Sequence, residues 1–446
     1  MKWDDMLDIA EKGLRTTMNS FCEIRIEEIT TQKITTRQGE ISSFTETGET
    51  GIVATVWDER KKYTLFLSGK RAESLPDLLE KISPTESRPP PWIDKVEDKG
   101  CRLIMKEIPD EDALFQLGEQ AHMSLEGYKM GTISRCGYVR KAYMNTMGSE
   151  SESFLPYSEM NLYVRGGKLD FYYSGFVHSH PSHAGDMVEG VKTYVRTICD
   201  QLQTARPVPA GSYPLVLDSV PFSVVVHEMF GHLLEYDLAT KGQLSEKDYG
   251  STIAPEFITI EDVPFIEHTL YVPFDDEGTV GKPAHLVDKG ILTEFMVDRN
   301  TAHEIDQHPR GNARAETVSA SPLIRSRTTV MEGGDHTFQE MLEEAGGGYY
   351  LYGVYRVLAR PDGNFTLGIP LAYSISHGEL GDPVMGISLS GNLYSFLSEN
   401  AALGKDSLFQ CNHCSKRSGG REQQVKVGTV CPAALFTAWN LRSDTP

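Results

Sequence analysis

The chain has 446 residues, 39% hydrophobic and 24% charged, which gives it the length for two or three domains and the composition of an ordinary soluble protein. Its formal net charge of −20 disfavours nonspecific attraction to nucleic acid or to anionic membranes. No apolar run approaches the ~18 residues of a membrane span, the amino-terminal stretch lacks a signal-peptide core, and seven scattered cysteines argue against a disulfide framework, so a reducing, cytoplasmic setting is expected.

Trp3, Met6, Leu7, Ala10 and Leu14 fall on one stripe and predict an amphipathic helix. Alternating segments follow at Cys22–Ile26, Ile34–Arg37, Ile41–Phe44, Ile52–Trp57 and Tyr63–Leu67. With turns at Gln38–Glu40 and Gly48–Gly51 they read as an antiparallel meander. A short helix is expected over Leu75–Ile82, and the polar, proline-rich run 83–91 reads as a linker or extended crossing segment. Residues 110–126 predict a helix with Ala113, Leu114, Leu117, Ala121 and Met123 inward. Gly131–Phe176 predicts long strands broken at Met147-Gly148 and Gly166-Gly167, and a further helix is expected near Ala184–Gln203. The run Arg206–Ser212, rich in proline and glycine, reads as a second boundary. The expected organisation is therefore an N-terminal α+β domain over 1–205, with a possible subdivision near 83–94, and a C-terminal domain over 206–446.

After a predicted strand at Tyr213–Leu217 comes the stretch Val224–Asp237, VVVHEMFGHLLEYD. Pro221 and Ser223 are plausible helix-start residues, so a buried helix is expected from Pro221 to about Glu235. It carries His227, Glu228 and His232 among valines and leucines, where three ionisable groups would be costly without a partner. Two neutral imidazoles suit zinc, and a carboxylate beside them can take a proton from metal-activated water. The common zinc-protease helix spaces its histidines i and i+4. Here the spacing is i and i+5, which on a regular helix separates the rings by roughly 140°. Convergence requires a π-type bulge or local unwinding, with Gly231 as its site.

Beyond the helix the chain reads as strands and loops: Phe257–Ile260, a hairpin over Leu286–Val297 around Lys289-Gly290, then Tyr349–Leu358, Thr366–Ile369 and Val384–Ser390. One clear helix, Phe338–Ala345, is stopped by glycines 346–348, and a second short one is expected at Ser395–Ala401. The fold class is α+β, with a β-rich C-terminal region. Two histidines need a third protein ligand. Cys411, His413, Cys414 and Cys431 are the candidates, and spacing does not choose among them. A separate structural zinc on these four is a further reading, weakened by the absence of a second CxxC or HxxxH pair.

The helix HEMFGHLLEYD resembles the HExxxGH-type helix of the TldD/PmbA family, the "modulator of DNA gyrase" family, in its TldD-like, metal-binding branch. Asp276-Glu277-Gly278 with the hairpin around Gly290 resembles the family's DEG segment and its following hairpin. Gly311-Asn312-Ala313-Arg314 resembles its GNxR loop. Cys414-Ser415-Lys416 before Gly419-Gly420 and Val427-Gly428 resembles its cysteine loop, with Ser415 in place of a glycine and Ala313 and Ala315 where GNGRR is usual. The Ile24–Trp57 meander resembles the family's N-terminal domain. The resemblance implies a zinc metalloprotease acting on peptides or unfolded segments, with one Zn2+ per chain held by His227, His232 and Cys414, or by Cys411 if the loop alignment slips. It implies Glu228 as general base and Arg314 as a substrate contact or loop-structuring arginine. Relatives work as homodimers, or as heterodimers with a second TldD/PmbA-family chain that lacks the metal motif. The contrasting reading, a noncatalytic regulatory subunit, is disfavoured by the intact His-Glu-His set. A second histidine cluster, His178-Ser-His180-Pro181, resembles the HxHP of JAMM-type isopeptidases but lacks that motif's SxxD pair, and reads as a His-rich loop.

Overall fold

The amino-terminal stripe forms the helix Trp3–Thr16, which buries Trp3, Met6 and Ala10 against the first of two sheets. The structure, a computed structural model, describes residues 1–17, 20–58, 61–83, 90–93, 99–105, 116, 119, 122–166, 169–173, 184–242, 244–267, 270–360, 362–392 and 400–443. In the first sheet, strands Lys61–Leu67, Glu40–Asp58, Phe21–Arg37, Tyr128–Asn145 and Glu150–Gly166 lie side by side in that order, each antiparallel to the next. Arg102–Ile104 and Leu169–Tyr173 also pair with Glu150–Gly166.

The expected meander is present, but its first four segments merge into two strands of 17 and 19 residues. Their ladder runs from Phe21 opposite Trp57 to Arg37 opposite Glu40, and turns at Gln38-Gly39, both at positive φ. The turn expected at Gly48–Gly51 does not form, because Gly48 pairs with Thr30 and Gly51 with Glu27 inside the ladder. At Gly51 the reason for glycine is space. A Cβ there would lie 2.7 Å from the Phe66 ring and 2.8 Å from Val318.

The second sheet draws on residues from Arg206 onward. Its spine is Arg421–Ser443, which pairs with Asn400–Ser418 in a long antiparallel hairpin, and with Gly211–Leu217, Thr328–Met331 and Ile387–Asn392. The segment read as a cysteine loop is therefore regular strand up to the turn at Gly419-Gly420. The helix Phe338–Ala345 forms as expected, with a Thr337–Glu340 capping box and Gly346 at φ +62. The Lys289-Gly290 hairpin also forms, between Ala284–Asp288 and Ile291–Leu292. Both sheets share one connecting helix, Ala184–Leu202. Its Val188, Val195, Ile198 and Leu202 pack with Met130, Leu162 and Val164 of the first sheet and Leu371 and Met385 of the second.

The predicted helix over 110–126 lies mostly outside the described residues. Its described end, 122–125, is not helical, and Met123 and Leu125 pack into the core. Residues 84–89 of the proline-rich run, 393–399 and the His178/His180 cluster also lie outside the described residues.

Candidate metal centre

The central helix starts two residues earlier than expected. Asp218 caps it, accepting a hydrogen bond from Val220 N at 3.0 Å, and Tyr350 Oη donates to the other oxygen of Asp218 at 2.6 Å. Pro221 then sits in the first turn, where the missing N–H costs nothing. Phe222, Val225, Val226, Met229 and Phe230 bury themselves against Leu215, Ile260, Phe295 and Phe436, each fully buried large side chain contributing on the order of 1.5–3 kcal/mol. Such anchoring fixes the helix on the sheet and can hold an irregular turn in place.

That turn is present. The α-helix ends at Val226, and His227–His232 forms a π-helical turn. Its i→i+5 bonding stacks residues five apart on one side. The two imidazole centroids are 4.9 Å apart, with planes at 65°. Gly231 acts here through its missing side chain, since a Cβ would lie 2.7 Å from His227 Nδ1. Cys414, on the strand Asn400–Ser418, brings its Sγ to 2.9 Å from His232 Nε2. One donor atom from each of His227, His232 and Cys414 lies within 4.8 Å of the others, and among the described residues they are the only such group of three. Cys411 precedes Cys414 by three residues and so projects from the opposite face of the strand. Cys431 lies elsewhere, donating to Ser219 O at 3.5 Å.

The donor set fits a metal. Two imidazole nitrogens and one thiolate, converging in this way, suit zinc. Burial would push the Cys414 thiol up, but the imidazoles of His227 and His232 outweigh it and hold the thiol well below its usual range. Burial likewise disfavours charge on His232, yet Glu235 and Cys414 raise it well above the ordinary value. Glu235, fully buried, is held near 2 against its own burial by His232 and Lys416.

The cavity in front of the three ligands has a volume of about 1020 Å3. Ser223, Glu228, Tyr355, Leu358 and Asn412 share its lining with them. Glu228 is half-buried, and among the described residues its carboxylate has no ion-pair or hydrogen-bond partner. Arg314 is not brought to this cavity. Its guanidinium donates to Ser326 O at 2.5 Å and Lys426 O at 2.7 Å, and it lines a separate cavity of about 480 Å3 with Tyr157 and Glu159. Both terminal guanidinium nitrogens are thus engaged by backbone carbonyls.

Three residues around the centre escaped the sequence reading. Arg325, fully buried, donates to Cys414 O at 2.6 Å and Gln423 O at 3.3 Å, which clamps the backbone of the cysteine hairpin. Glu235 and Lys416 meet at 2.7 Å behind His232. The sequence signals were a glutamate three after His232 and a lysine two after Cys414, the lysine lying within the motif that resembles the family's cysteine loop.

A family model described as PmbA/TldA metallopeptidase C-terminal domain matches residues 210–443. A zinc metalloprotease TldD homolog of Saccharolobus solfataricus is 34% identical over 235 residues, 52% of this chain and 52% of the relative. The match thus spans about half of that relative's length. A metalloprotease of Methanothermobacter thermautotrophicus is 34% identical over 360 residues, 77% of this chain and 76% of the relative. Among solved structures, TldE from Thermococcus kodakarensis superposes with a TM-score of 0.70 at 16% identity, covering 97% of this chain and 99% of that one. At that identity the likeness is one of fold.

Proposed function

The chain belongs to the PmbA/TldD metallopeptidase family, and from that premise we propose that it is a zinc-dependent peptidase whose metal is held by His227, His232 and Cys414. The observation that carries the proposal is the convergence of these three side chains, from a π turn and a strand 182 residues away, beside an unpartnered carboxylate. The chemistry that a zinc ion supplies when bound is Lewis acidity toward water and a scissile carbonyl. Glu228 takes the proton of the attacking water and returns it to the leaving amine. At about 1020 Å3 the cavity has room for a peptide segment.

Backbone recognition fits the site. Strand Arg356–Ala359 lines the cavity and, among the described residues, pairs on one side only, with Asn364–Ile369. Along Val357–Ala359, among the described residues, the other edge offers main-chain donors and acceptors to an extended chain, which reads a peptide with little regard to side chain. Peptides and unfolded segments are therefore the proposed substrates. The proposed partner is a second TldD/PmbA-family chain, a copy or a TldE-like one, a reading supported by the TldE likeness. Among the described residues no helix is long and apolar enough to cross a membrane, and a cytoplasmic site of action is part of the proposal.

The test is hydrolysis of casein and of a peptide library by purified protein with and without a chelator. Activity abolished by chelation and restored by zinc supports the proposal. Hydrolysis unaffected by complete metal removal, or no peptide hydrolysis by the zinc-loaded protein alone or with its partner, overturns it.

A further inference from the structure

We infer that Glu235 and Lys416 are positioning residues for the metal: a buried ion pair that orients His232 and ties the π turn to the cysteine strand. The inference rests on the metal reading above. Glu235 is fully buried, and its Oε2 lies 3.4 Å from His232 Nδ1. The approach is at ion-pair distance without the alignment of a hydrogen bond, and no other acceptor among the described residues serves that nitrogen. The same Oε2 accepts from Lys416 Nζ at 2.7 Å, and Oε1 accepts from Ser326 N at 3.2 Å.

Lys416 stands two residues after Cys414 and so faces the same way along the strand. All three of its ammonium protons have acceptors: Glu235 Oε2 at 2.7 Å, Asp237 Oδ1 at 2.7 Å and Ile324 O at 2.9 Å. The lysine is thus a rigid bar between the thiolate's strand and the segment that follows His232. An apolar pair of the same size would join two elements at lower desolvation cost. What an apolar pair lacks is an acceptor at Nδ1. A carboxylate there holds the N–H on Nδ1 and leaves the Nε2 lone pair directed at the metal position, where Cys414 Sγ also points.

The two histidines are then oriented by different means. His227 has its Nδ1 edge against Gly231, 2.7 Å from where a Cβ would be, so its ring is placed by packing. His232 is placed by charge. The Glu235–Lys416 pair therefore acts on one ligand only, and its removal acts through zinc affinity.

The experiment measures the zinc dissociation constant by chelator competition for the full-length wild type, Glu235→Gln, and the double variant Glu235→Gln/Lys416→Met, with far-UV circular dichroism on each. Glutamine keeps the shape of Glu235 but removes its charge. The double variant also removes the Lys416 charge, which Asp237 alone would then balance, so it decides the question if the single variant fails to fold. We expect every folded variant to bind zinc about 10–100-fold more weakly than the wild type. In the cobalt-substituted protein we expect a shifted absorption spectrum, which a merely structural role would not produce. A folded double variant that binds zinc within about threefold of the wild type, with an unchanged cobalt spectrum, overturns the positioning role. A wild type that binds no zinc overturns the metal reading itself, which keeps the two failures distinct.

Discussion

At the scale of single residues, three atoms decide the account: the two imidazole nitrogens and the Cys414 sulfur. On the proposed reading Glu228 serves turnover and not metal retention, because it lines the cavity beside the three ligands and is not one of them. Glu228→Gln is therefore expected to keep its zinc while peptide hydrolysis falls about 100-fold or more, the range of a lost general base. Metal content and rate measured on one preparation check this, and a variant with full activity refutes the assignment. Gly231→Ala is a steric test of the π turn. A methyl group placed 2.7 Å from the His227 ring must displace it, so zinc affinity is expected to fall at least about tenfold with the fold intact. Unchanged affinity in a chelator competition would mean that the ring has room the structure does not show. The i and i+5 spacing made a departure from the regular helix legible in the sequence, as a π-type bulge or local unwinding, and the structure has the π turn. The role of Gly231 was legible only in part: the sequence suggested a backbone adjustment, whereas the structure uses the missing side chain.

At the scale of elements, the centre depends on how a helix, a hairpin and a loop are held together, and long-range ion pairs do much of this. Asp276, from the DEG segment, pairs with Arg25 at 3.2 Å and Lys141 at 2.9 Å on the first sheet, and accepts from Ala315 N at 2.8 Å. Burial would raise its pKa, but Lys141 and Arg25 hold it near 2. A carboxylate depressed in the folded state adds stability that is fully present above its unfolded pKa of about 3.9 and is lost as the pH falls toward 2. Asp276→Asn, which leaves the buried Arg25 without its carboxylate while Lys141 keeps Glu27 at 3.0 Å, is expected to cost about 3–5 kcal/mol at pH 7. The difference from wild type should shrink between pH 4 and pH 2. Urea denaturation at these pH values checks both statements, and a difference that does not depend on pH would remove Asp276 from the interface account. The segment itself could be read in the sequence through its family resemblance, but its partners could not, because Arg25 and Lys141 are distant in sequence and carry no local signature. Local patterning also gave the helix Phe338–Ala345 with its cap and the Lys289-Gly290 hairpin. It failed at Gly48–Gly51, where pairing with Thr30 and Glu27 overrides the glycine signal. It also failed at the cysteine segment, whose polar residues hide a strand in a long hairpin with Arg421–Ser443.

At the scale of the whole molecule, the proposed metal would link the helical turn at 227–232 to the strand at 400–418 of the second sheet. A ligand that binds only the folded state stabilises it by mass action, about 4 kcal/mol at a thousandfold excess over its dissociation constant. Chelation is therefore expected to lower the melting temperature of the protein, and added zinc to restore it. A melting curve indifferent to complete zinc removal would place the ion elsewhere or nowhere. The net charge of −20 frames a second property of the whole chain, the absence of a mean field that would draw it to nucleic acid. The central claim is that a single zinc sits between His227, His232 and Cys414. Its most direct test is metal content per chain, by mass spectrometry, for wild type, Cys414→Ala and Cys411→Ala. The account predicts about one zinc in the wild type and in Cys411→Ala and almost none in Cys414→Ala. A Cys414→Ala protein that is folded and still carries a full complement of zinc would contradict it.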